Sequence, residues 1–290
     1  MTVTLGLQLL VNGVVAGGLL GLVALGLALI FGVMRLVNFA HGEFITLGAY
    51  TTWLLAGGLG LSPLLGLPVA FVLAAAIGWG VQATVLGRLA GRPPLDLLMA
   101  TYALSIIGLG LFALGFGGDF RSYAAGPSGE WRLGGVSIGL RSLTGLVVCL
   151  LLAGVMLLLL RSARTGLALR ALAQNRDAAS SCGIDVRRTE RLTFAVAVGL
   201  AAVAGSLVSL IGTTTPEVGH DWVLNGFVVV VIGGMGSVGG ALAAAFAIGL
   251  VQSVGGFVLD DSWARIIVYL LLYATLLLRT HGLLGQKGAA

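Results

Sequence analysis

The chain has 290 residues, of which 58% are hydrophobic and only 9% are charged, and its mean hydropathy is +1.07. Soluble domains carry about 25% charged residues, so this composition excludes an ordinary soluble enzyme or binding module. The net charge of +5 comes almost wholly from arginine. It requires no nucleic acid as a partner, because the inner loops of membrane proteins are rich in Lys and Arg. The sequence therefore predicts a protein that lies in membrane lipid.

Apolar runs follow one another along almost the whole chain. A membrane-spanning helix needs about 20 apolar residues, which leaves room for about eight or nine helices in a single transmembrane domain over residues 1–290. The expected spans cover residues 5–32, 44–59, 64–87, 95–116, 142–160, 192–212, 223–238, 240–259 and 264–279. The predicted fold class is an all-α polytopic integral membrane protein with some short or broken helices.

Glycine is abundant, with 47 residues that lie mostly inside the apolar runs. Lipid offers no hydrophobic drive for helix association, and small residues let helix backbones approach closely. We therefore expect a tightly packed helix bundle.

The first polar cluster, RLVNFAHGEF at residues 35–44, follows a run of nearly thirty apolar residues. It places Asn38, His41 and Glu43 beside an unusually short span. One interpretation is a helix that breaks and re-enters, which is tolerated at membrane depth only where the backbone is buried in protein or lines a water-filled path. The other is a turn at the inner surface, with the Arg35 side chain reaching out to water. The sequence leaves both open.

The longest outer loop is expected at residues 117–141, GGDFRSYAAGPSGEWRLGGVSIGLR. It mixes turn residues with Tyr123 and Trp131. A small hairpin at the membrane face and a solvated loop are both consistent with this pattern.

Residues 161–191 carry seven of the sixteen basic residues and three of the eleven acidic ones. Helical spacing predicts one helix of about four turns from about residue 164 to residue 182, which Gly183 would end. Its apolar face would hold Ala168, Ala171, Leu172 and Ala179, and its polar face Arg170, Gln174, Asp177 and Ser181. It is too short and too charged to cross a bilayer. We interpret it as a contact surface for a protein partner.

If residues 161–191 are cytoplasmic, alternation of the spans places twelve of the sixteen basic residues, Lys287 among them, on the same side. The positive-inside rule supports this orientation. It predicts an N-terminus outside and a C-terminus in the cytoplasm.

Residues 233–240, GGMGSVGG, form a second irregular point. The spacing Gly234-x-Gly236-x-x-Gly239 matches the dinucleotide fingerprint, but that fingerprint requires a soluble βαβ unit, and the flanks here are membrane spans. We interpret the glycines as a second broken helix. Together the two breaks give a candidate translocation path of Asn38, His41, Glu43, Gly233, Gly234 and Gly236.

Three segments carry a family resemblance: residues 32–43, GVMRLVNFAHGE; residues 169–179, LRALAQNRDAA, followed by Gly183 and Ile184; and residues 233–237, GGMGS. In this order they resemble the high-affinity branched-chain amino-acid permease family of ABC importers, and more narrowly the H type of its two permease subunits. The likeness spans nearly the whole chain.

The resemblance implies an importer of two homologous permease subunits, two cytoplasmic ATPase subunits and an extracytoplasmic solute-binding protein, in a bacterial or archaeal plasma membrane. The pattern Asp177-Ala178-Ala179-x-x-x-Gly183 is similar to the Glu-Ala-Ala…Gly signature that docks on the ATPase in such permeases, with Asp in place of Glu. The expected ATPase-coupling residues are Arg170, Gln174, Asp177, Ala178, Ala179 and Gly183. We expect no catalytic residue, cofactor or metal site in this chain.

Two alternatives remain. The same family includes apparent carriers of urea and short amides. An ion-coupled secondary transporter would also have broken helices, but it is expected to carry acidic or histidine residues in the middle of its spans. Here the spans are almost free of them, since Asp96 lies at the end of a span and Glu43 lies beside a break.

Overall fold

The computed structural model describes residues 3–279 and 282–284, apart from the side chain of Leu133. Lys287, counted above among the inner positive charges, lies outside these residues. The described chain forms helices α1 (Val3–Met34), α2 (His41–Trp53), α3 (Pro63–Thr84), α4 (Pro94–Phe116), α5 (Leu140–Ser162), α6 (Arg164–Gln174), α7 (Arg176–Ser181), α8 (Val186–Ile211), α9 (Val218–Gly233), α10 (Val238–Val258) and α11 (Asp261–Leu278), with strands β1 (Glu130–Leu133) and β2 (Val136–Gly139).

Seven helices are long and apolar enough to cross a membrane, namely α1, α3, α4, α5, α8, α10 and α11. Helix α9 is apolar but has only 16 residues, and α2 continues into a π-helical turn at Leu54–Gly58. These nine elements correspond to the nine expected spans. The predicted all-α polytopic class is confirmed, including its short and broken helices.

The seventh span is displaced from its predicted position. We expected residues 223–238, whereas α9 runs from Val218 to Gly233. The polar residues His220 and Asp221 lower the local hydropathy without opposing a helix, so the apolar run alone placed the start five residues too late. The C-terminal end of α9 is set by Gly234, whose φ of 108° favours glycine.

Residues 117–141, which were expected to form an outer loop, contain the hairpin that was one of the two interpretations of this segment. Strands β1 and β2 pair antiparallel, and Gly134 and Gly135, both with positive φ, make the tight turn between them. Two hydrogen bonds hold the hairpin on α1, since the Gln8 amide donates to Ser137 O and accepts from Ser137 N, each at 2.9 Å.

Helix α8 forms the centre of the bundle. Between Thr193 and Leu210 every residue except Val196 is buried, and the helix packs on α1, α2 and α3. In contrast, α4 buries only Thr101 and α11 only Ala264 and Val268. The peripheral helices therefore expose apolar faces, as expected for surfaces in lipid.

Glycines bring α2 and α8 into direct backbone contact. A Cβ added to Gly48 would overlap the carbonyl group of Ala202, and one added to Gly205 would overlap the carbonyl group of Ile45. The Ser206 hydroxyl donates to Gly48 O at 3.2 Å across the same contact. Any larger side chain at these two glycines would separate the helices.

We expect Gly205→Ala to destabilise the folded protein by about 1–3 kcal/mol, because a methyl group there must displace backbone atoms rather than a flexible side chain. The measurement is the thermal unfolding midpoint of the detergent-solubilised protein. Gly154→Ala on α5, where an added Cβ meets no atom within 4 Å, is the matched control and should leave the midpoint unchanged or slightly raised. Equal midpoints for the two variants would contradict this packing.

Candidate functional site

The segment at residues 161–191 folds into two short helices rather than one. Helix α6 ends at Gln174, and Asn175 leaves the helical conformation with φ −153° and ψ 116°. The Asn175 side chain then accepts hydrogen bonds from the backbone N–H groups of Asp177 and Ala178, each at 3.0 Å, and so starts α7. The predicted single helix was wrong because the sequence at Asn175 favours a helix cap over helix interior.

The faces predicted for this segment are largely as expected. Leu172 and Ala179 are buried, whereas Arg170, Gln174, Asp177 and Ala178 are exposed. Gly183 ends the segment with φ 82°, and Ile184 N donates to Ala179 O at 3.1 Å to close the last turn. The predicted polar side chains are thus exposed, and Leu172 and Ala179 are packed inward.

An ion pair that the sequence analysis missed fixes α7 to α8. The Arg176 guanidinium donates to the Glu190 carboxylate at 2.5 Å and 3.4 Å. The Glu190 side chain is only 5% exposed, whereas that of Arg176 is 51% exposed. The two residues are fourteen apart with a loop between them, so helical spacing could not pair them. The one signal in the sequence was that Glu190 is the single glutamate in the otherwise basic first turns of α8.

The break after α1 begins at Arg35, a non-glycine residue with φ 50° that turns the chain back toward the bundle. Asn38 and His41, predicted to line a path, are 1% and 0% exposed within this chain. His41 fits against Gly26, whose added Cβ would lie 2.8 Å from the His41 Cε1 atom. The Glu43 carboxylate accepts from the Ser105 hydroxyl on α4 at 2.9 Å.

The glycine turn at residues 233–240 packs beside the end of α1. Gly234 and Gly236 have φ values of 108° and 84°, and a Cβ added to Gly32 would lie 3.2 Å from the Gly236 Cα atom. The C-terminal piece joins here, because Leu283 N donates to Ile232 O at 2.8 Å. The structure thus brings the two predicted breaks to the same end of the bundle.

That end also holds the basic segment. A cavity of about 380 Å³ opens between α1, α3, α4 and α8, and Arg35, Arg92, Arg176 and Glu190 are among its lining residues. The residues expected to contact an ATPase, the two breaks and residues 282–284 therefore share one face of the molecule. Among the described residues no group of three or more His, Cys, Asp or Glu side chains could hold a metal ion.

The structure is a helical membrane bundle with an exposed polar loop at one end, and comparison with known proteins identifies its family. Residues 9–276 match the family described as the permease component of branched-chain amino acid transport systems, and the chain belongs to this family.

Several curated relatives are similar over almost their whole length. LivH of Salmonella typhimurium, a high-affinity branched-chain amino acid transport system permease protein, is 29% identical over 97% of this chain and 96% of its own. BraD of Pseudomonas aeruginosa, described in the same words, is 30% identical with the same coverage. A probable branched-chain amino acid transport permease protein LivH of Methanocaldococcus jannaschii is 29% identical over 97% of this chain and 93% of its own. No solved structure matches the chain.

We expect Arg176→Ala to loosen α7 from α8, because it leaves the buried Glu190 carboxylate without its counter-charge. Discounting for the half-exposed arginine, the amides of α7 should exchange with solvent roughly fivefold faster. Hydrogen–deuterium exchange of residues 176–181 measures this. Arg187→Ala, which removes an exposed arginine at the same helix start, is the control. Unchanged exchange in Arg176→Ala would show that the ion pair does not hold α7.

Proposed function

We propose that this chain is a transmembrane permease subunit of an ATP-driven importer for branched-chain or related amino acids. In this proposal the solute passes from an extracytoplasmic binding protein to the cytoplasm by alternating access. The observation that carries the proposal is the family match over residues 9–276 together with an exposed, capped polar loop at the end of the bundle that holds both helix breaks. The named relatives favour branched-chain amino acids over urea or short amides.

The partners in this proposal are two cytoplasmic ATPase subunits, which supply ATP hydrolysis, and a homologous second permease subunit. The protein would lie in a bacterial or archaeal plasma membrane with its N-terminus outside and its C-terminus in the cytoplasm. Residues 1–290 would act as one permease domain, with residues 161–191 as the cytoplasmic coupling loop and residues 117–141 as the outer loop.

We propose that one surface of the loop, called the grip, contacts the ATPases. It consists of Arg170, Gln174, Asp177, Ala178, Ala179 and Gly183. Two features of the structure support this role. The polar members are exposed, and Ala179 packs inward so that α7 rests on the bundle. The Arg176–Glu190 ion pair then links α7 to the central helix α8. A displacement of the grip would therefore reach α8 directly.

The direct test is to purify the chain with its neighbouring subunits and to reconstitute the complex with a binding protein in liposomes. Leucine should stimulate ATP hydrolysis and accumulate inside at the expense of ATP. Uphill leucine uptake by the isolated chain, without any ATP-hydrolysing companion, would contradict the proposal, and uptake of urea in place of leucine would favour the other substrate class.

We expect Arg170→Glu to release the ATPase subunits while leaving the membrane fold intact, because it reverses an exposed charge on the proposed grip. Co-purification of the ATPases in mild detergent measures this. The matched control is Arg279→Glu, which makes the same charge change at the end of α11, outside the loop. Full association and transport by Arg170→Glu would remove this residue from the grip.

The two breaks are proposed to form the moving part of the path. Both nitrogen and oxygen atoms of the Asn38 side chain are buried without a hydrogen-bond partner among the described residues. Such groups are costly in a closed conformation. We infer that Asn38 gains partners when the segment opens during transport, and that His41, Glu43, Gly233, Gly234 and Gly236 are the other members of the path.

Asn38→Leu should therefore raise or preserve the thermal unfolding midpoint, because it removes a buried amide that lacks hydrogen-bond partners in the closed conformation. It should also reduce leucine uptake, because the open conformation loses the hydrogen bonds that the amide would form there. Thr52→Val is the control, since the Thr52 hydroxyl is also buried without a partner in the described chain but lies outside the break. It should leave uptake unchanged. Normal uptake by Asn38→Leu would return Asn38 to a purely structural role.

A further inference from the structure

Five polar residues on α1, α9 and α10 form two hydrogen-bonded groups, one on α1 and one between α9 and α10. We call Gln8, Asn12, Gln252, Asn225 and Asp221 the polar ladder. The Gln8 amide donates to Asn12 Oδ1 at 3.1 Å, and the Gln252 amide donates to Asn225 Oδ1 at 3.4 Å. The Asn225 amide in turn donates to Asp221 O at 2.9 Å. The ladder begins beside the outer hairpin, which Gln8 also contacts.

The lower end of the ladder lies near the middle of the longest helix. On α1, Asn12, Ala16 and Leu20 share one face at four-residue spacing. Ala16 and Leu20 line a cavity of about 140 Å³ together with Asp221, Trp222, Asn225 and Gln252. Helix α1 is about 48 Å long, and these two positions lie within about 4 Å of its midpoint, whereas the hydrocarbon core is about 30 Å thick. Asp221 is therefore placed at hydrocarbon depth.

The segment between α8 and α9 explains how polar residues reach this depth. After α8 ends at Ile211, residues 212–217 turn inward, and the Thr46 hydroxyl on α2 contacts both Pro216 O, at 3.4 Å, and Gly219 N, at 3.1 Å. A Cβ on Gly219 would overlap the carbonyl group of Gly42. The first turn of α9 thus packs against the first turn of α2, inside the bundle rather than at its outer rim.

The ladder is not covered by the chain itself. Asn12 and Asp221 are exposed, and Gln8, Asn225 and Gln252 are partly exposed. Asp221 forms no ion pair with any described residue. A carboxylate at this depth is strongly unfavourable against lipid tails, so such residues face a water-filled cavity or another protein. The exposed residues of α4 at similar depth, by contrast, are apolar, for example Ile106 and Ile107.

We propose that the polar ladder is this chain's wall of the solute path and that the Asp221 carboxylate binds the α-ammonium group of the amino acid, with the second permease subunit closing the opposite wall. This inference rests on the proposed function and adds to it the residues that meet the solute. The side-chain amides of Asn225 and Gln252 can donate to the solute carboxylate, so the site offers groups of both kinds to a zwitterion. A neutral solute such as urea could donate hydrogen bonds to the carboxylate but brings no positive charge to offset it.

Uptake by the reconstituted complex tests the role of Asp221. Asp221→Asn should lower the rate of leucine uptake by about 10-fold to 100-fold, the effect of losing one charge-assisted hydrogen bond. ATPase association should be unchanged, and Asp221→Glu should retain more uptake than Asp221→Asn. Asp119→Asn, at an outer acid whose side chain is 84% exposed, is the control. Wild-type uptake by Asp221→Asn would overturn the proposal for Asp221. The proposed function is tested separately, by whether the wild-type complex takes up leucine.

Thiol accessibility tests the path without requiring transport. In a background with Cys149→Ala and Cys182→Ser, Asn225→Cys should react with a membrane-impermeant sulfonated thiol reagent in the assembled complex, and leucine with its binding protein should slow the reaction. Ile106→Cys, equally deep but on the apolar face of α4, should remain unreactive. An unreactive Asn225→Cys would show that the ladder faces no water and would overturn the proposal.

Discussion

The backbone contact between α8 and α2 is the constraint on which the rest of the structure depends. Lipid gives these helices no hydrophobic reason to associate, so their attraction comes from close packing and from hydrogen bonds. Gly48 and Gly205 supply the close packing, and the Ser206 hydroxyl supplies a hydrogen bond at the same place. Since α8 is buried along most of its length, whatever moves α8 must move the helices around it.

The start of α8 is where the polar loop is attached. The second of its two helices is capped by the Asn175 side chain, and the Arg176–Glu190 ion pair fixes that helix to α8. In our proposal the loop is therefore a rigid connection rather than a flexible tether. The same helix contacts α2, whose first turn packs against the first turn of α9. A short chain of contacts thus joins residues 161–191 to the level of Asp221 without any long flexible segment between them.

Much of the fold could be predicted because hydropathy and length alone determine which segments enter a membrane. Each of the nine expected spans corresponds to a helix, seven of which are long and apolar enough to cross a membrane, and Gly183 ended its helix as the sequence indicated. Hydropathy failed at α9, where His220 and Asp221 are helical although they fall between two of the expected spans. A pattern that assigns polar residues to the surface cannot find polar residues that line an interior face.

Residues of the candidate site could be predicted where they lie in one segment of the chain. They could not be predicted where the site is formed by contact between two segments. The exposed face with Arg170 and Asp177 follows from spacing within one stretch of chain. The Arg176–Glu190 pair and the polar ladder do not, because their members come from different elements and only the packing of α1, α8, α9 and α10 brings them together. Burial of Asn38 and His41 within this chain also depends on tertiary packing.

One measurement tests the central claim most directly, and the chain already carries the residue for it. Cys182 is exposed at the end of α7, whereas Cys149 is buried. A photoactivatable benzophenone maleimide should therefore label Cys182 selectively in the assembled importer. Our account predicts that illumination joins this chain to an ATP-hydrolysing subunit. Crosslinks only to lipid, or only to the extracytoplasmic binding protein, would contradict it.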